Sequence, residues 1–155
     1  MIEILPPQPG WKEAHLEAYL QTDGRDGHYL DMSGVGGKGP TPTLILKTMG
    51  RKSGKPILAP LIYGRFGNGY AIVASKGGAQ KHPAWFLNLE ASEKVTLQVA
   101  ADCFEATWRR LEGEERQRVW DTMVAIYPPY TDYAAATDRH IPVVMLEPYR
   151  TLDSL

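Results

Sequence analysis

Two short turns carry the residue types that bind phosphates. Gly50-Arg51-Lys52-Ser53-Gly54-Lys55 and Ser75-Lys76-Gly77-Gly78 each combine backbone N–H groups, a hydroxyl and cationic side chains with glycines that let a ligand approach the backbone. Both lie in a run, Met32 to Leu89, that holds eight Lys and Arg and no Asp or Glu. The rest of the chain holds nine basic and eighteen acidic residues, so a net charge of -1 joins a +8 segment to flanks of -9. Within that run no carboxylate competes with an anion for the cations. The first turn is not a Walker A motif, because it lacks the G-x-x-x-x-G-K-[ST] spacing and precedes a strand rather than a helix. Either turn alone also reads as a solvated connection. Two of them bracketing a hairpin favour a phosphate-bearing ligand.

Tyr127, Tyr130 and Tyr133 recur at every third position. A buried core would use Leu or Phe there, because each phenol needs a hydrogen-bond partner. A pocket wall with polar tips and an amphipathic surface helix both fit. Trp85, Phe86 and Leu89 read as core residues of a short helix, and Asn88 among them as a group that fixes a loop or a ligand carbonyl. His15, His28, His82 and His140 have no metal-ligand spacing, and no Ser-His-Asp order is present. The single cysteine, Cys103, reads as a small buried hydrophobe and excludes a cysteine zinc site. No metal site is expected. A phosphate site, aromatic walls and no evident catalytic acid together suit a bound redox cofactor that brings its own reactivity.

The elements that must position these groups follow from periodicity and turn signals. Trp11 to Gln21 reads as an amphipathic helix with Leu16, Tyr19 and Leu20 on one side, and Thr22 to Pro42 as a Gly-rich connection over the surface. Strands are expected over Thr43–Thr48, Pro56–Phe66 and Gly69–Ser75, the last two joined by Gly67-Asn68-Gly69. A helix starts at Pro83 and runs to Leu89. Lys94–Ala100 alternates, with Val95, Leu97 and Val99 on one face, and pairs with Cys103–Leu111. Glu112–Ile126 is the clearest helix, its first turn acidic as the macrodipole favours. Pro128-Pro129 ends it, Tyr130–Thr137 restarts a helix, and Ile141–Leu146 is a closing strand. The whole is a single α+β domain: an antiparallel barrel over residues 43–150 with helices packed outside, preceded by an N-terminal helix and connection over 1–42. Met1 to Gly10 shows no secretory signal and no stretch approaches a membrane span, which points to the cytoplasm. The near-neutral charge and turn-borne cations argue against nucleic acid.

Several blocks then match a known family in order. Thr48-Met49-Gly50-Arg51-Lys52-Ser53-Gly54, Ala74-Ser75-Lys76-Gly77-Gly78, Pro83-Ala84-Trp85-Phe86-Leu87-Asn88-Leu89, Tyr127-Pro128-Pro129-Tyr130-Thr131-Asp132-Tyr133 and Arg139-His140-Ile141-Pro142-Val143-Val144 resemble the deazaflavin-dependent nitroreductases of actinobacteria, which use coenzyme F420. The resemblance covers about Thr43 to Pro148. It implies a split antiparallel β-barrel related to FMN-binding flavin reductases, and a reduced deazaflavin that delivers hydride to a planar acceptor: an enone, a quinone or a nitro compound. By matching motif, Arg51, Lys52 and Ser53 hold phosphate and polyglutamate tail. Ile57, Leu58, Ala59, Pro60, Leu61 and Ile62 line the cofactor channel. Val73, Ala74, Ser75, Lys76 and Gly77 meet the ring edge and phosphate. Ala84, Trp85, Phe86, Leu87 and Asn88 flank tail and ring, and Tyr130 covers the ring. Tyr127, Tyr133 and Ser75 face the substrate as the catalytic group. Family members often carry an arginine where this chain has Ile57, and Lys55 or Lys47 is placed to stand in. FMN in the same fold and a non-catalytic F420 carrier are the alternatives. Monomer or homodimer, and a peripheral membrane contact through the N-terminus, stay open.

Overall fold

The computed structural model describes residues 11–92 and 94–155. The signal reading of Met1 to Gly10 lies outside them. Among the described residues eight strands and four α-helices follow one another in the order α1 (Trp11–Gln21), β1 (Tyr29–Asp31), β2 (Pro40–Met49), β3 (Pro56–Ile62), β4 (Gly64–Phe66), β5 (Gly69–Val73), α2 (Ala84–Glu90), β6 (Lys94–Val99), β7 (Asp102–Arg110), α3 (Gly113–Ile126), α4 (Pro129–Ala135) and β8 (Val143–Leu152). The sheet is wholly antiparallel, in the order β1-β2-β6-β7-β8-β5-β4, with β3 paired to β2. It curls into the split barrel that the sequence leads one to expect.

Two cores explain why its central strands are apolar at every position rather than alternating. Tyr70, Ile72 and Ala74 of β5 and its extension join Val144 and Leu146 of β8, Leu44 and Leu46 of β2, and Phe86 and Leu89 of α2 in one cluster. The intervening Ala71 and Val73 join Val143 and Met145 with Val119, Met123, Tyr127 and Tyr130 of the α3–α4 segment in the other. A strand buried on both faces has no position to give to a polar residue.

Three local expectations are corrected. The stretch Pro56–Phe66 is two strands, not one. The chain changes partner at Tyr63, whose N–H bonds the Pro42 carbonyl at 3.2 Å, and it turns at Gly64, where a side chain would meet Met123 Sδ at 2.7 Å. The Gly-rich connection contains a strand, β1, which pairs Tyr29–Asp31 with Pro40–Pro42; three residues are too few for a readable period. The closing strand starts at Val143 and continues past Leu146 to Leu152, with a register shift between Glu105 and Ala106 that leaves Tyr149 without an opposite residue, next to Pro148, which has no N–H to give. On α1 the fully buried residues are His15 and Tyr19, while Leu16 and Leu20 are half-buried. The Tyr19 hydroxyl donates to the Thr43 carbonyl at 2.8 Å and accepts the Ala100 N–H at 2.8 Å, which fastens α1 across the sheet. Gln98 is buried beneath this attachment.

Because Phe86 is fully enclosed between sheet and α2, Phe86→Ala should cost about 3–5 kcal/mol in urea unfolding. Ile57→Ala, on the exposed rim of β3, should change stability by less than about 0.5 kcal/mol. Similar losses for the two would put the core elsewhere.

Candidate active site

A cavity of about 600 Å³ opens where the two cores meet. Leu58 to Ile62 of β3, Val73, Ser75, Lys76 and Gly77 after β5, Pro83 and Trp85 at the start of α2, and Tyr127, Tyr130 and Tyr133 line it. These predicted residues, far apart in sequence, thus come together. Arg51, Lys52, Ser53, Ile57, Ala74, Ala84, Phe86, Leu87 and Asn88 do not line it. Ala74 and Phe86 are fully enclosed in the core behind the wall.

The segment after β5 has an unusual backbone. Ser75 is right-handed (φ -79°, ψ -39°), and Lys76, Gly77 and Gly78 are left-handed (φ 45°, 62° and 82°). For Lys76 that conformation is strained, since a side chain disfavours positive φ. A right-handed residue followed by a left-handed one makes a nest, in which successive N–H groups converge on a point where an anion fits. Among the described residues no hydrogen bond engages the N–H of Ser75, Lys76 or Gly77; the next two, of Gly78 and Ala79, bond back to the Ser75 and Lys76 carbonyls. Gly78 lets this turn rest on α4: a side chain there would lie 2.8 Å from the Tyr133 carbonyl oxygen. Nest and tyrosines are therefore in direct backbone contact.

The tyrosine wall is internally bonded. The Tyr127 and Tyr133 hydroxyls are 2.9 Å apart, and the Tyr127 and Tyr130 rings pack edge to face with centroids 5.0 Å apart. Burial pushes the Tyr127 and Tyr130 phenols well above the usual tyrosine range, so both are neutral O–H groups at physiological pH.

The basic turn lies at the other end of α2. Arg51, Lys52, Ser53 and Lys55 are exposed, and the Ser53 hydroxyl accepts the Lys55 N–H at 3.2 Å, so this serine closes the turn. Asn88, buried on α2, accepts both the backbone N–H of Arg51 (3.1 Å) and its guanidinium (3.2 Å), and donates to Thr48 Oγ1 (3.2 Å). Of the two roles its sequence position suggested, Asn88 performs loop fixing here.

Sequence reasoning missed the wall contributed by Lys12, Glu13, His15 and Leu16 of α1, and by Leu30, Met32 and Thr43. His15 Nε2 donates to the Gly27 carbonyl at 2.8 Å, which holds its ring at the closed end of the cavity. Among the described residues Glu13 is the one carboxylate in the lining, and it enters from outside the acid-free run. No local pattern announces these residues, because the fold, not spacing, brings α1 to β3. Among the described residues no three potential metal ligands cluster, and no helix is long and apolar enough to cross a membrane.

Residues 11–148 match the family model described as F420H(2)-dependent quinone reductase. The F420H(2)-dependent quinone reductase Rv1261c of Mycobacterium tuberculosis is 36% identical over 135 residues, 85% of this chain and 86% of that protein. Among solved structures, an F420-H2 dependent reductase called FDR-A is 44% identical over 68% of this chain and 94% of its own, with a TM-score of 0.63. A chain described as a domain-swapped dimer is 38% identical over 88% of this chain and 95% of its own, with a TM-score of 0.66.

Two outcomes test the supports of the site. Asn88→Ala removes the acceptor of the half-buried Arg51 N–H, so it should cost about 1 kcal/mol and raise hydrogen exchange selectively across Arg51–Lys55; uniform exchange would show that Asn88 does not hold the turn. Burial, and then the nearby Arg139 and Arg110 charges, hold His82 below its ordinary value of 6.5. The unfolded chain therefore binds a proton that the folded chain resists, and this contribution to stability is present above about pH 6.5 and lost as pH falls below it. His28 and His140 are lowered in the same sense. Melting temperature should drop from pH 7 to pH 5, and His82→Gln should remove part of that drop.

Proposed function

The chain belongs to the F420H(2)-dependent quinone reductase family, and we propose that it is an oxidoreductase that binds reduced coenzyme F420 in this cavity and reduces a quinone. The observation that carries the reading is the nest: three unengaged N–H groups on residues that line a cavity with a tyrosine wall. F420 carries one phosphodiester and a polyglutamate tail. The N–H groups of Ser75, Lys76 and Gly77 would hold the phosphodiester. Arg51, Lys52, Ser53 and Lys55, on the turn held by Asn88 of α2, would attract the tail, and the absence of acids between Met32 and Leu89 keeps that path free of repulsion. Leu58 to Ile62 and Val73 would shield the flat ring system, with Trp85 at its side and Tyr130 over it. The motif also assigns Ala84, Leu87 and Asn88 to the tail side; in this geometry Asn88 acts on it through Arg51.

When bound, the reduced deazaflavin supplies the hydride. The chain's own part is to exclude water, stack the acceptor and meet the charge that develops on its oxygen. The Tyr127 and Tyr133 hydroxyls share one hydrogen bond; in the arrangement where Tyr127 donates, the Tyr133 O–H would be left to meet that oxygen, with the Ser75 hydroxyl as a second donor. The apolar and aromatic lining suits a quinone ring better than a charged acceptor.

Apo-protein titrated with F420 and separately with FMN, each followed by fluorescence, should bind F420 and not FMN; the reverse would overturn the cofactor assignment. Oxidation of reduced F420 followed at 420 nm should accelerate on adding a naphthoquinone, and no acceptor-dependent rate would leave only binding. Tyr133→Phe should lower kcat by about tenfold or more with cofactor affinity within about twofold; loss of cofactor binding instead would put Tyr133 on the cofactor side. Arg51→Ala and Lys52→Ala should each weaken F420 binding and flatten its salt dependence, and unchanged affinity in both would remove the tail from that turn.

A further inference from the structure

Arg139 stands outside the cavity lining and outside the roles assigned above, yet its guanidinium makes three contacts with the chain around the nest. Nη2 donates to the Ser75 carbonyl at 2.7 Å, Nε donates to the Ala79 carbonyl at 2.7 Å, and Nη1 lies 2.9 Å from His82 Nδ1, which accepts. The segment that carries Arg139 is itself fastened to the same loop: Gln80 Nε2 donates to the Ala136 carbonyl at 3.3 Å and Thr137 Oγ1 donates to Gln80 Oε1 at 3.2 Å. Among the described residues no carboxylate lies within ion-pair distance of Arg139, so its charge is not neutralised locally.

The contact to Ser75 has a directional consequence. In a trans peptide the C=O and the following N–H point in opposite directions. The Ser75 carbonyl and the Lys76 N–H share one peptide unit. A guanidinium holding that carbonyl from outside the cavity turns the Lys76 N–H away from itself, on a residue that lines the cavity. It also polarises the peptide, which strengthens the N–H as a donor. The grip on Ala79 fixes the far end of the turn, and Lys76 needs such restraint because its left-handed backbone is strained.

We infer that Arg139 is a positioning residue for the anion nest, holding the peptides of Ser75–Ala79 from behind so that the N–H groups of Ser75, Lys76 and Gly77 present to the phosphodiester of the cofactor. This rests on the F420 reading above. It separates two cationic contributions: Arg51 and Lys52 act on the ligand directly, whereas Arg139 acts on it through the backbone.

The test compares equilibrium binding of F420 with that of its phosphate-free deazaflavin riboside, for wild type, Arg139→Gln and Arg139→Lys. Wild type should prefer F420. Arg139→Gln should lose about tenfold or more of F420 affinity while riboside affinity stays within about twofold, and Arg139→Lys, which keeps the charge but only part of the fork, should fall between. A merely structural arginine would weaken both ligands together and leave their ratio unchanged, which would overturn the inference, as would no loss for either. If Arg139→Gln does not fold, the same ratio measured on Arg139→Lys decides. A wild-type protein that shows no preference for F420 over the riboside would overturn the cofactor reading itself. Preserved preference in both variants would overturn only the role of Arg139.

Discussion

Everything functional in this molecule hangs on the pairing of β5 with β8. Tyr70 to Val73 lie opposite Leu146 to Val143 in strict antiparallel register, and over these residues the pair is enclosed on both faces. One core fixes them from the barrel interior and the other from beneath α3 and α4. At the end of this ladder the Ala74 N–H bonds the Pro142 carbonyl at 2.9 Å. The chain leaving β5 and the chain entering β8 therefore start side by side, one carrying Ser75 to Gly78 and the other arriving from Arg139. A strained turn persists only where its surroundings over-determine it, and here a doubly buried strand pair does so.

The two cationic regions obey different physics. Arg51, Lys52 and Lys55 are exposed on a hairpin end, where charge acts through water and is weakened by salt. The nest offers partial charges fixed in direction and already oriented, close to buried phenols that stay neutral. A ligand with a localised anionic group and a longer, diffuse anionic extension would use both. α2 sets the interval between them, with Trp85 at one end and Asn88 at the other.

How much was legible in the sequence depended on the range of the cause. Helices α1 and α3, the β2 and β5 strands and the hairpin between β6 and β7 were readable because local periodicity and turn chemistry produce them. So were the two glycine-bearing turns and the clustering of the tyrosines, since residue type itself carries the signal. The corner at Tyr63 was not, because it follows from a change of strand partner, not from any breaker in Leu61-Ile62-Tyr63. β1 was too short. The contribution of α1 to the cavity was invisible because a buried histidine and tyrosine, bonded to Gly27 and Thr43, attach it. Arg139 was visible only as part of a motif; its geometry depends on β8 lying beside β5.

β3 has a further consequence. It is made only of apolar residues, and among the described residues it pairs with β2 alone, which leaves a hydrophobic margin open. Such a margin usually recruits other chains. The Tyr63 N–H points to β2, so by strand alternation the odd positions face β2 and the even positions, 56, 58, 60 and 62, face outward. Two of those four are Pro56 and Pro60, which have no N–H to offer. The strand can thus remain greasy enough to shelter a flat ring while the ladder that would seed aggregation is interrupted at every second rung.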